Sequence, residues 1–266
     1  MMKRTISAII MLIIVVPLLL LGGTPYNIGI YLVSLVAMKE FIDIKNSKKE
    51  VPIFIKVISY IFLSLIILTN INNDGAVFSI DYPYIAGIFL AYLIPTVLYH
   101  NRETYSINDA FYFIGGIFFL STAMLLLISI RSIRLATMLY LILISTMTDT
   151  FAYLTGMLIG KHKLLVEISP KKTIEGTIGG TFFGTFIAVV FYYNVISQTV
   201  SLPMLIVATV FLSIMGQFGD LVMSAIKRYY GKKDFSNLIP GHGGILDRFD
   251  SILFVLLSYV FFMKFL

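Results

Sequence analysis

Apolar runs recur along the chain with few polar breaks, and several approach the 20 or so residues that a helix needs to cross a bilayer. Nine segments follow that pattern: 5–21, 26–38, 52–68, 84–99, 110–130, 135–159, 177–196, 202–223 and 251–266. The second is the shortest and reads on to residue 44 as an amphipathic end. The first follows Met1-Met2-Lys3-Arg4, in the manner of a signal peptide. Its apolar run is long for a leader and no small-residue cleavage site follows it, so it is expected to be a retained span. The pattern predicts an all-α, polytopic membrane protein of about nine transmembrane helices.

Composition agrees. Of the 266 residues, 58% are hydrophobic and 13% charged, and mean hydropathy is +0.93. A soluble domain is about 45–50% apolar and about 25% charged, so a soluble enzyme of this length is excluded. A disordered chain is excluded as well, since it would be polar and charge-rich. With no cysteine, disulfides, thiolate metal sites and cysteine nucleophiles are impossible. The net charge of +6 on so apolar a chain points to cytoplasmic loops and anionic lipid or phosphate partners, not to nucleic acid.

Nine spans put the termini on opposite sides. With the N-terminus in the cytoplasm, 17 of the 20 Lys and Arg fall inside, and only Arg131, Arg134 and Lys264 fall outside. That bias follows the positive-inside rule, with the Arg131/Arg134 pair as a local exception. The chain changes style near residue 140. Simple apolar spans fill 1–140, whereas 141–266 carries carboxylates, lysines and glycines at helix ends and inside spans. No internal repeat is evident, which weighs against an inverted-repeat transporter.

The polar features have bland readings as well as functional ones. Asp149, in Thr146-Met147-Thr148-Asp149-Thr150-Phe151-Ala152-Tyr153, lies deep in an apolar segment; a carboxylate there marks function by default, or is bonded to its neighbouring hydroxyls for packing. Lys161-His162-Lys163 reads as an interface anchor. In Ser169-Pro170-Lys171-Lys172-Thr173-Ile174-Glu175-Gly176, lysines, hydroxyls and free N–H groups at a helix start form either a phosphate cradle or a capped positive-inside loop. Gly176, Gly180 and Gly184 form a small-residue stripe suited to helix packing, with a subunit interface as one outcome. Asp220 is again intramembrane, and Lys227 and Arg228 follow two turns later. Snorkelling to headgroups explains those cations but not Asp220.

The densest stretch is Pro240-Gly241-His242-Gly243-Gly244-Ile245-Leu246-Asp247-Arg248-Phe249-Asp250. Its glycines let backbone approach a ligand closely, and Asp247 and Asp250, three apart, share a helix face. The bland reading is a glycine turn followed by a helix-terminal charge pair. Together, Asp149, Asp220, Asp247 and Asp250 would converge near the cytoplasmic side within a ring of Lys and Arg, a composition suited to metal-assisted phosphate chemistry. The window 149–176 holds seven charged residues and 220–250 holds nine, nearly half of the chain's charge.

From Ser224-Ala225-Ile226-Lys227-Arg228, through Lys233-Asp234, to Pro240–Asp250, the chain resembles the phosphatidate cytidylyltransferase (CDP-diacylglycerol synthase) family, with 27 residues in unbroken spacing. The segments 149–153 and 169–176 also resemble that family, and the N-terminal half matches only as apolar spans. The resemblance implies an integral membrane enzyme that joins CTP to phosphatidic acid, yielding CDP-diacylglycerol and pyrophosphate. It implies Mg²⁺, a cytoplasm-facing polar cavity in the cell membrane and a homodimer. Asp220 and Asp247 then take the metal, with Asp250 supporting a second cation or a lysine. Lys227, Arg228 and Arg248 hold phosphates, while Ser169, Lys171, Lys172 and Thr173 close over the triphosphate. His242, Gly243 and Gly244 shape the nucleotide loop, and Asp149, Glu175, Lys233 and Asp234 belong to the substrate site. Two alternatives stay open: a CTP-dependent enzyme acting on another lipid phosphate or lipid alcohol, and a cation-coupled transporter using Asp149 and Asp220.

Overall fold

A computed structural model describes residues 2–71, 80–99 and 103–263. Expectations resting on Arg102, Lys264, the end of the ninth apolar segment and the side chains of Lys3 and Arg4 lie outside the described residues.

Each apolar segment falls on a helix. In chain order these are α1 Met2–Leu21, α2 Gly23–Asn46, α3 Ile53–Asn70, α4 Tyr82–Leu93 with the one-turn α5 Pro95–Leu98, α6 Ile107–Ile133, α7 Leu135–Ile159, α8 Ile174–Phe191, α9 Leu202–Tyr229 and α10 Leu246–Met263. Among the described residues, five are long and apolar enough to cross a membrane: α3, α6, α7, α9, and α8 with the π-helical turn Tyr192–Ile196 that continues it. The stretches Thr5–Leu21 and Tyr82–Leu98 are apolar but shorter.

The all-α expectation needs one correction. The polar segment between α7 and α8 pairs with itself as an antiparallel hairpin, β1 Lys163–Leu165 with β2 Ser169–Thr173, so that Lys163 faces Thr173. Two short strands satisfy each other's amides where no helix can be sustained, and Pro170 is tolerated because each strand has only one partner.

The chain divides into two compact units, Met1–Ile133 with Asp234–Asp247, and Arg134–Lys233 with Arg248–Leu266. The glycine-rich segment goes with the N-terminal helices.

In the first unit α6 is the central helix. It buries Phe113, Ile117, Leu120 and Met124, and α2, α3 and α4 pack on it. Its start is fixed by buried Asp109, which accepts from the Ser106 backbone N–H and hydroxyl at 2.8 Å and pairs with Lys45 in the last turn of α2 and Lys49 just beyond it. At its other end, Arg131 donates to the carbonyls of Leu19 (2.6 Å) and Leu20 (2.9 Å) at the end of α1.

In the second unit α7 and α8 pack most closely, through the glycine stripe. A Cβ on Gly180 would lie 2.6 Å from the Thr148 carbonyl oxygen and 2.7 Å from the Ala152 Cβ, and Gly176 and Gly184 meet the same helix. The stripe is thus filled within the chain. Tyr140 and Thr148 on α7 bond Thr209 (2.7 Å) and Ser213 (2.8 Å) on α9, and Gln217 on α9 donates to Thr181 on α8 at 2.8 Å. Apolar surroundings give helices little hydrophobic reason to associate, so close small-residue packing and such bonds hold them. Arg134 donates to the carbonyls of Val195 and Ile196 beyond α8. Arg131 and Arg134, the pair expected outside, therefore each hold helix-end carbonyls, which favour cations.

Candidate functional site

The charged residues singled out by sequence form two groups, one in each unit.

The group in the second unit starts at the hairpin. Thr173 caps α8, its hydroxyl accepting from the Gly176 N–H at 3.1 Å, which meets one otherwise unpaired donor of the first turn. Glu175 accepts from the backbone N–H groups of Lys161 (3.1 Å) and His162 (3.2 Å) and lies 2.6 Å from the His162 ring Nδ1, fastening the start of α8 to the base of the hairpin. Arg228 extends from α9 to donate to the Ile168 carbonyl in the hairpin turn (3.2 Å) and to the Lys232 carbonyl (3.0 Å).

The hairpin thereby carries Lys172 to α9, where its ammonium lies 2.6 Å from Asp220 Oδ2. The other Asp220 oxygen accepts from Ser224 at 3.2 Å. Ser251 on α10 donates to Asp149 Oδ2 on α7 at 3.1 Å. Asp149, Asp220 and Asp250 lie within electrostatic reach of one another, with Lys172 also acting on Asp149 and Lys227 on Asp250. Three helices and a hairpin thus assemble a mixed-charge patch at which Asp149 is exposed and Lys172 and Asp220 are each about a quarter exposed. Lys171, Lys233 and Arg248 are exposed.

The group in the first unit is the loop 234–247. Ile239 donates to the Gly243 carbonyl at 2.8 Å and His242 donates back to the Ile239 carbonyl at 2.9 Å, closing a tight turn. Gly243 has φ +78°, a conformation that L side chains rarely adopt. Asp247 is buried, and its Oδ2 accepts from the backbone N–H groups of Phe235 and Gly244, both at 2.8 Å. The carboxylate therefore spans both limbs of the turn. Ser7 on α1 donates to the Pro240 carbonyl (3.0 Å) and lies 2.9 Å from His242 Nδ1. Glu40 on α2 accepts from Ser236, Ile245 and Leu246.

Among the described residues, no set of three or more His, Asp or Glu side chains is arranged to hold a metal ion. Of the four carboxylates expected to converge, Asp149, Asp220 and Asp250 belong to the second unit and Asp247 to the first. Sequence reasoning missed Glu40, Ser7, Ser236 and Ser251. Only Glu40 left a signal, a carboxylate directly after the apolar run Leu35-Val36-Ala37-Met38 and Lys39.

Residues 2–266 match the cytidylyltransferase family. The chain is 40% identical over 254 residues to the phosphatidate cytidylyltransferase of Staphylococcus haemolyticus (strain JCSC1435), with 95% of each chain covered. It is 39% identical over 254 residues to that of Staphylococcus aureus (strain COL) and 35% identical over 253 residues to that of Staphylococcus saprophyticus subsp. saprophyticus, again with 95% of each chain covered.

Proposed function

The chain belongs to the cytidylyltransferase family, and on that premise we propose that it transfers CMP from CTP to phosphatidic acid, releasing CDP-diacylglycerol and pyrophosphate. The observation that carries this reading beyond the family name is the Lys172–Asp220 pair, with Asp149, Asp250 and Lys227 around it. Carboxylates and ammonium groups side by side suit a ligand that brings both phosphate oxygens and a cation.

In the proposed reaction a phosphate oxygen of phosphatidate forms a bond to the α-phosphorus of CTP. The bond from that phosphorus to the bridging oxygen breaks, and pyrophosphate leaves with the electron pair. The nucleophile is already an anion, so positioning and charge neutralisation supply most of the catalysis. Lys172, carried by the hairpin, exchanges its bond to Asp220 for a triphosphate oxygen, with Lys171, Ser169 and Thr173 on the same strand. Arg228 and Glu175 hold that hairpin in place, while Lys227 and Arg248 bear on the phosphates. The turn 241–244 shapes the nucleotide pocket around His242, with Lys233 and Asp234 leading into it.

The donor set fits Mg²⁺, which prefers oxygen ligands and commonly takes one or two carboxylates plus phosphate oxygens and water, not an all-protein cage. The family resemblance assigns it to Asp220 and Asp247, with Asp250 beside a second cation. When bound, the ion would neutralise charge on the phosphates. The site is proposed to face the cytoplasm, which the Lys and Arg distribution supports. That position suits one substrate with acyl chains and another that is a soluble polyanion. A homodimer is proposed from the resemblance alone.

A panel of lipid phosphates and lipid alcohols offered to the purified protein with labelled CTP and Mg²⁺ tests this reading. Label is expected in the lipid product with phosphatidate. Label entering a lipid alcohol instead, or entering no lipid at all, would overturn it.

A further inference from the structure

Glu40 is 2% exposed, on a helix whose neighbouring residues Ala37, Met38, Phe41 and Ile42 are also buried. Burying a carboxylate among such groups is costly unless hydrogen bonds compensate. The bonds it accepts come from the loop 234–247, at the start of α10 and before the glycine turn. Oε1 accepts from the Ser236 hydroxyl at 2.6 Å and the Ile245 N–H at 2.9 Å, and Oε2 accepts from the Leu246 N–H at 2.8 Å. Ser236 precedes the turn, whereas Ile245 and Leu246 follow it. One side chain therefore clasps both limbs of the loop, and it does so where the first amides of α10 have no partner within their own helix.

Gly244 lies between Glu40 and Asp247. Its N–H donates to Asp247, and a Cβ added to it would collide with the Glu40 carboxylate. The motif glycine thus has a packing reason that lies on α2, some 200 residues away in sequence. Asp247 and Glu40 bridge the same two limbs from opposite ends of the chain.

From this we infer that Glu40 is a positioning residue: it fixes the loop 236–246, and through Gly244 the carboxylate of Asp247, in the arrangement that the reaction uses. The inference rests on the proposed function for its kinetic consequence but not for its structural one. It gives the N-terminal helices a part in the site beyond serving as a scaffold.

The test uses the full chain in detergent, comparing wild type with Glu40→Ala and Glu40→Gln. The glutamine keeps the volume but sets an amide NH₂ against at least one of the three donors, so it serves if the alanine variant fails to fold. Backbone hydrogen exchange is read at 240–247, with kcat and KM for CTP measured alongside. In both variants exchange at Ile245 and Leu246 is expected to quicken by about tenfold or more, as loss of charge-assisted bonds implies, with α6 unchanged. The value of kcat is expected to fall by about tenfold, with KM moving much less. Unchanged exchange at 240–247, or uniform loosening of the whole first unit with normal kcat, would overturn the inference. If wild type forms no CDP-diacylglycerol yet the variants deprotect the loop, the clasp stands and the catalytic reading falls.

Discussion

The ammonium of Lys172 lies 2.6 Å from a carboxylate oxygen of Asp220, joining a hairpin strand to α9. Both side chains are about a quarter exposed, so the pair contributes only about 0.2–1 kcal/mol to stability. Its geometry matters more for what each partner does when a polyanion arrives. Lys172→Ala is expected to leave thermal unfolding nearly unchanged while kcat/KM for CTP falls by at least about tenfold, the scale of one lost charge-assisted bond to phosphate. A variant that melts early but turns over normally per folded molecule would make the pair a structural tie.

Asp247→Asn separates fold from chemistry. The asparagine oxygen can still accept from Phe235 and Gly244 in the place of Oδ2, so the loop is expected to survive. Turnover is expected to be almost lost, since a neutral amide is a poor Mg²⁺ ligand. Melting curves together with Mg²⁺-dependent turnover check this, and undiminished activity would remove Asp247 from the metal.

Gly180→Leu tests the packing of α7 on α8. Even a Cβ there would meet the Thr148 carbonyl oxygen at 2.6 Å and Ala152 at 2.7 Å, so the helices must part. Overpacking of this kind costs about 1–3 kcal/mol, to be read as a lowered thermal midpoint in detergent. An unchanged midpoint would show that the two helices separate freely.

The absence of cysteine makes topology directly measurable with single introduced thiols. In intact cells, Gln198→Cys is expected to react with a membrane-impermeant thiol reagent, whereas Lys232→Cys is expected to react only after permeabilisation. The reverse pattern would invert the orientation read from the Lys and Arg distribution.

Much of the fold was legible because apolar runs of helix length have few other solutions in a bilayer. The carboxylates of Asp149 and Asp220 stood out because each interrupts an apolar segment. The Lys172 partner of Asp220 did not, because the hairpin supplies it and strands as short as Lys163–Leu165 and Ser169–Thr173 have no periodicity to read. Glu40 was hidden among Lys39, Asp43 and Lys45 at an amphipathic helix end, where a charge normally faces headgroups. Its burial follows only from the fold of a segment some 200 residues away. The glycine stripe announced a packing face without naming α7 as the neighbour, because small residues specify closeness and not identity. Arg131 and Arg134, the pair that the expected orientation leaves outside, donate to helix-end carbonyls.

The most direct measurement of the central claim follows the phosphorus atoms of CTP. With purified protein, Mg²⁺ and phosphatidic acid, label at the α-phosphorus is expected to appear in the lipid, while label at the γ-phosphorus leaves in pyrophosphate, one for each lipid formed. Transfer of the γ-label to lipid would make the protein a CTP-dependent kinase and would contradict CMP transfer outright.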